Sequence, residues 1–162
     1  MTVREDQVER DNGQRGIYGV VEKHDSAVII PIDGDHIYLV EQFRYAIGRR
    51  SLELPQGSLE RAGFAPEDIA REELMQETGI IAAKLELLGN FIIAIGYSNQ
   101  RDFTFLATGL TPGQRRPDPE EHDLVLHRMP LSEFEGRIRD NTIEDAQTLA
   151  AWALFRARHP LP

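Results

Sequence analysis

The chain has no cysteine in 162 residues. Disulfide staples, thiolate nucleophiles and zinc–cysteine sites are therefore excluded. It also lacks any apolar run long enough to span a bilayer, and its opening Met-Thr-Val-Arg-Glu-Asp has no signal-peptide core. A soluble, cytoplasmic protein with no membrane partner is the expectation. Basic residues are in the minority, 18 against 27 acidic, for a formal net charge of −9. That balance argues against non-specific nucleic-acid binding, which needs basic surface to displace counterions. It leaves polyphosphate substrates open, because bound cations reverse the local sign. The histidines at 24, 36, 122, 127 and 159 show no metal-ligand spacing. No repeat or low-complexity tract is visible, and the length suits a single domain over residues 1–162 with a proper core.

What the chain does have is the stretch Glu53–Ile80, a strand end, a glycine loop and an acidic helix. Pro66 suits the first helical position, Glu67 and Asp68 suit the positive end of the helix dipole, and Gly79 suits the residue just past the C-terminus. A helix over Pro66–Thr78 follows. Residues three and four apart are neighbours on it, so Glu73, Gln76 and Glu77 form one patch, with Glu72 beside Gln76. Ile69, Ala70 and Leu74 make the apolar strip that anchors it. Carboxylates converging on one patch suit a hard divalent cation, which takes oxygen ligands and shares them with substrate phosphates. A solvated acidic face is the ordinary alternative.

Around this helix the pattern is mixed. Ile17–Val21, Ser26–Ile32 and Ile37–Phe43 read as strands, with turn chemistry at Asp33-Gly34-Asp35. Residues 1–14 are polar, either loosely ordered or the start of an edge hairpin. Leu85–Ala94 and Arg101–Gly109 read as strands joined by a loop, and Leu124–Met129 as the last strand. Pro130–Ile138 and Ile143–Ala157 read as helices, the second with Thr142 as N-cap and Trp152 in the core. Between the strands Arg101–Gly109 and Leu124–Met129 the proline-rich stretch Thr111–Asp123 suits a functional surface loop. Strands interrupted by one helix and closed by two predict an α/β fold with a mixed sheet between helices.

The Glu53–Ile80 stretch resembles the Nudix box, with Gly57 as the opening glycine and Glu73, Leu74, Gln76, Glu77, Gly79 and Ile80 at its C-terminal end. It departs from the pattern in three ways. The loop from Gly57 to Glu73 is one residue longer, Glu72 stands in the arginine position, and Gln76 replaces the first glutamate of a Glu-Glu pair. The segments Gln42-Phe43-Arg44 and Glu53-Leu54-Pro55-Gln56-Gly57 are similar to those of the branch that hydrolyses ADP-ribose and related nucleoside diphosphate sugars. The resemblance implies the Nudix fold, an α/β/α sandwich, and metal-dependent cleavage of a diphosphate bond. ADP-ribose would yield AMP and ribose 5-phosphate. It implies Mg²⁺, or Mn²⁺, held by Glu73, Gln76, Glu77 and the backbone carbonyl of Gln56. Arg44 and Glu53 become substrate-binding candidates, with Arg115 a candidate for phosphate, and Glu120 or Glu121 the general base on the loop. It implies a homodimer sharing the N-terminal β region, residues 1–45. A nucleotide-binding module without catalysis, favoured by Gln76, and hydrolysis of another nucleotide remain as alternatives.

Overall fold

The computed structural model describes residues 1–58, 64–116 and 123–159. Within them, β1 (Thr2–Glu9) and β2 (Arg15–Glu22) pair antiparallel as a separate two-stranded sheet. The main sheet holds β3 (Ser26–Asp33), β4 (His36–Arg44), β5 (Arg49–Glu53), β6 (Gln56–Gly57), β7 (Ile80–Ile92), β8 (Arg101–Pro112) and β9 (Val125–Pro130). Its order is β5-β4-β3-β8-β7, with β6 added to β3 and β9 to β4. β3 and β8 run parallel, from Ser26 opposite Asp102 to Pro31 opposite Ala107, and the other pairs are antiparallel. The sheet is mixed, as the element pattern predicts.

The period of two along β3 sorts the core. Val28 and Ile30 share a cluster with Leu39 and Leu88 of neighbouring strands, Phe134 of α2 (Leu131–Arg139), and Trp152 and Phe155 of α3 (Ala146–Arg158). Ala27 and Ile29 face the opposite cluster, with Ile69, Ala70 and Leu74 of α1 and its last turn. Helices therefore cover both faces, and the predicted apolar strip of α1 is what attaches it. Trp152 lies in the core, edge-on to Phe134 with ring centroids 4.8 Å apart.

α1 runs from Pro66 to Glu73, with Pro66 at its start and Asp68 accepting the Ala65 backbone N–H at 3.1 Å. Leu74–Thr78 then continues as one wider π-helical turn, and Gly79 closes it with φ of 71°. The left-handed conformation there admits glycine at no steric cost. Two predicted boundaries move. The N-cap of α3 is Asp145, which accepts the Thr148 N–H at 2.8 Å, whereas Thr142 bonds back to Asp140. Both residues offer a capping oxygen, and tertiary contacts rather than local sequence select between them. β7 starts at Ile80, directly after the helix, and absorbs the irregular stretch before Leu85 by pairing with β8. Residues 1–14 form most of the hairpin rather than a loose tail.

Candidate active site

The segment Glu53–Gly57 lies between α1 and α3, running from the end of β5 into β6, with the Pro55 carbonyl accepting the Ile29 N–H at 2.9 Å. The backbone donors on either side of Pro55 are met by side chains. Glu77 Oε2 accepts the Gln56 N–H at 3.0 Å from one face, and Thr148 Oγ1 accepts the Leu54 N–H at 2.9 Å from the other. A buried donor left unpaired would cost a kcal/mol or more, so both bonds hold the segment to its helices. Glu77 is 1% exposed and Glu73 7%. Glu73 lies so close to Gly57 that a Cβ there would overlap its carboxylate. Glycine is required at 57 for that approach.

Glu73 and Glu77 thus converge on the backbone of Gln56–Gly57, a segment that lines a cavity of about 690 Å³. Gln76 sits a turn away, its amide donating to Glu72 at 3.1 Å. Among the described residues no three His, Asp or Glu side chains gather closely enough to hold a metal by themselves. Two carboxylates and backbone oxygen nevertheless fit Mg²⁺, which keeps waters and completes its octahedron with substrate phosphates. The Gly57 cradle, which a Cβ would fill, leaves the Glu73 carboxylate room to reach such an ion.

The cavity is walled by Arg44, Arg49, Glu53, Gln56, Tyr97 and Gln147, among others, with Lys23 contributed by the chain after β2. Arg44 donates from Nε to Glu53 Oε1 at 2.9 Å and from a second nitrogen to Oε2. Burial pushes the Glu53 carboxyl up, but this fork, together with Gln56 and Ser51, brings it below the usual carboxylate range. Pairing with Glu53 in turn raises Arg44. Both candidates are therefore brought together at the cavity wall, already charged and paired. Arg49 is paired with Glu144, while Lys23 has no ion pair among the described residues.

Arg115 lies elsewhere. It packs against Gly79 and donates to the Leu124 carbonyl at 2.7 Å, outside the cavity lining. A guanidinium drawn to a nearby carbonyl cannot be read from sequence as different from one facing phosphate. Glu120 and Glu121 lie outside the described residues. Flanking them, Asp123 is held by the Phe43 N–H at 3.1 Å and by Arg50 at 2.9 Å, and Arg116 N–H donates to the Gln76 carbonyl at 3.3 Å.

Sequence reading misses Asp102, a carboxylate with no exposed surface beneath the cavity. Burial pushes it up to about 6, with Asp145 and Asp25 adding repulsion, while Gln147 and Ser26 pull it partly back. The available signal is an acid standing on the core-facing side of an otherwise apolar strand, Phe103-Thr104-Phe105-Leu106.

With this geometry in place, the comparisons with known proteins are decisive for the family. Residues 22–152 match the NUDIX domain, and residues 1–21 match the nucleoside diphosphate sugar hydrolase N-terminal domain. The chain belongs to the Nudix family. An ADP-ribose pyrophosphatase of Mycobacterium tuberculosis is 33% identical over 150 residues, spanning 91% of this chain and 72% of that one. A methanol dehydrogenase activator of Bacillus methanolicus is 30% identical over 148 residues, spanning 90% and 80%. The crystal structure of an ADP compounds hydrolase superposes with a TM-score of 0.80 at 21% identity, covering 99% of this chain and 96% of that one, and so shares the Nudix fold.

Two outcomes follow from the site. Gly57→Ala should displace Glu73 and lower turnover about 100-fold or more, with a melting temperature little changed because Glu73 can swing aside. A colorimetric turnover assay beside a melting curve checks this, and full activity would show that the cradle is not needed. For Asp102 the folded pKa is raised, so its penalty is absent below about pH 4, grows as pH rises and is complete above about pH 6. The ionised form costs about 3 kcal/mol. Asp102→Asn should therefore remove the loss of stability that the parent shows between pH 4 and 6. Urea denaturation across that range measures it, and parallel pH profiles would contradict it.

Proposed function

We propose that this chain is a Nudix hydrolase of nucleoside diphosphate sugars, acting on ADP-ribose to give AMP and ribose 5-phosphate. The observation that carries the reading is the buried Glu73–Glu77 pair bound against Gln56–Gly57, which lines a cavity of nucleotide size. The N-terminal match and the pyrophosphatase relative support the substrate class. Glu73, Glu77, the Gln56 carbonyl and the Gln76 amide oxygen would hold Mg²⁺, or Mn²⁺. A cation there neutralises charge on the diphosphate and lowers the pKa of water. One water adds across the P–O–P bridge, so each product leaves with a terminal phosphate.

The protein's own groups do the rest. Glu120 or Glu121 takes the proton from the attacking water, a role worth typically about 10²–10⁴-fold. Arg44, held flat by Glu53, and Lys23 offer positive charge to the diphosphate from the cavity wall. Arg115 is assigned to loop support rather than phosphate, given its bond to Leu124. No helix among the described residues is long and apolar enough to cross a membrane; a cytoplasmic location is part of the proposal.

The chain acts, on this reading, as a homodimer through the β1–β2 hairpin. Two-stranded sheets are marginal alone. Here Val3 and Ile17 share one face of it and are 68% and 57% exposed. The hairpin reaches the body through Val21 N–H to the Tyr97 carbonyl at 2.7 Å and the Tyr18 hydroxyl to the Gly96 carbonyl at 2.5 Å. A second copy would cover what the body leaves open.

Two measurements test these proposals. Phosphate release after phosphatase treatment should be metal-dependent and strongest with ADP-ribose in a panel with GDP-mannose, UDP-glucose, NADH, diadenosine polyphosphates and nucleoside triphosphates. Glu77→Gln should lower it by about 10³-fold or more, and one of Glu120→Gln and Glu121→Gln by about 10²-fold or more. Silence across the panel, with ADP-ribose still raising the melting temperature, would instead favour a binding module. In sedimentation the 18.4 kDa chain should run as a dimer and Val3→Asp/Ile17→Asp as a monomer; a monomeric parent would remove the dimer.

A further inference from the structure

Arg50 of β5 is absent from the cavity lining, and nothing in the sequence sets it apart from the arginine before it. In the fold it spans three strands. Val40 and Glu41 of β4 pair with β5 on one side and with β9 on the other, so β4 runs between the two. The Arg50 side chain crosses β4 to reach Asp123, just before β9. On the way Nε donates to Glu41 Oε1 at 2.6 Å and Nη2 to the Glu41 carbonyl at 2.8 Å. At the far side Nη1 donates to Asp123 Oδ2 at 2.9 Å and Nη2 to the Asp123 carbonyl at 2.9 Å. Four of the five guanidinium N–H groups are thereby used, and the planar fork fixes their directions together. The Phe43 N–H adds another bond to Asp123 Oδ2 at 3.1 Å. That bond first, and Arg50 with it, holds the Asp123 carboxyl below the usual carboxylate range against the effect of burial.

The chain before Glu120 and Glu121 is tied down as well. Gly113 N–H donates to the Gly79 carbonyl at 2.6 Å and Arg116 N–H to the Gln76 carbonyl at 3.3 Å, both at the turn that carries Glu77. Arg115 donates to the Leu124 carbonyl at 2.7 Å and so joins the departing chain to the returning one. One end is therefore fastened beside Glu77 and the other beside β4, where Arg44 follows Phe43. Glu120 and Glu121 stand three and two residues before Asp123 in the chain, so a displacement of Asp123 moves them relative to both. The Arg50 and Asp123 side chains are 39% and 31% exposed, and an ion pair so open to water adds little to global stability. What four directed bonds from one rigid group do supply is position.

Resting on the proposed hydrolase reading, we infer that Arg50 is a positioning residue for the reaction: through Asp123 it fixes where the chain returns after Glu120 and Glu121, relative to Glu77 and Arg44. It acts through Asp123 alone and meets neither substrate nor metal. A lysine at 50 offers one ammonium in place of the fork and cannot hold the Glu41 and Asp123 carbonyls and carboxylates at once.

The test compares the parent with Arg50→Met, Arg50→Lys, Asp123→Ala and the double variant Arg50→Met/Asp123→Ala. Arg137→Met, which breaks a pair with Glu133 within α2, is the control. With ADP-ribose and Mg²⁺, each single variant at 50 or 123 should lower kcat about 10-fold or more while KM stays within about threefold. The double variant should be no slower than the slower single one, because both changes remove the same contact. Hydrogen exchange read by mass spectrometry in EDTA gives a second readout that needs no turnover. The peptide over residues 114–126 should exchange about 10-fold faster or more in these variants, with peptides of α1, α2 and α3 unchanged. Arg137→Met should match the parent in both. A loss that falls on KM instead of kcat, an Arg50→Lys variant with the parent's kcat, losses that multiply in the double variant, or unchanged exchange would each overturn the inference. Faster exchange beside an unchanged kcat would overturn the positioning role and leave the hydrolase reading standing. A parent that turns over no nucleotide of the panel removes the hydrolase reading and this inference with it.

Discussion

The backbone N–H groups of Leu54 and Gln56 impose the constraint on which the rest of the site depends. Pro55 between them has no N–H of its own and accepts from Ile29 N–H, and the donors on either side of it are met by side chains rather than by a strand. Two helices on opposite faces of the sheet each supply one side chain, Glu77 from the α1 side and Thr148 from α3. The same short segment carries Glu53, Gln56 and Gly57, so satisfying its backbone also places the fork to Arg44, the amide of the cavity floor and the cradle for Glu73. Structure and site are here one set of bonds.

Two buried carboxyls show how the environment divides their roles. Glu53 and Asp102 are both almost sealed from water, yet burial wins at Asp102 and loses at Glu53. The difference is a guanidinium. Arg44 meets Glu53 with two parallel bonds, while Asp102 has only neutral donors and two neighbouring acids. The first arrangement yields a fixed charge at the cavity wall, and the second a group near its titration point under the floor.

The legible part of the fold was the part that is locally encoded. Pro66, Asp68 and Gly79 act through bonds to their own helix, so the limits of that helix and its apolar strip could be read directly. Glu73, Glu77, Gln56, Arg44 and Glu53 were candidates through the family pattern; Gln56, Arg44 and Glu53 line the cavity, and Glu73 and Glu77 pack against Gln56–Gly57. What could not be read depends on contacts between distant segments. Asp145 rather than Thr142 caps α3 because Gln56, 89 residues away, shares its carboxylate. Arg115 turns to Leu124, and Asp102 and Gln147 meet across 45 residues. No local periodicity records such meetings.

The parallel pairing of β3 with β8 carries a kinetic consequence. Ser26 and Asp102 pair across 76 residues, and closing so long a loop is slow relative to forming a helix or hairpin. Glu77 of the helical turn after α1 meets the Gln56 N–H only where β6 pairs with β3, a separate and shorter-range pairing. The cavity is therefore lined by segments far apart in the chain, from Val21 to Gln147, and is complete only once they have met.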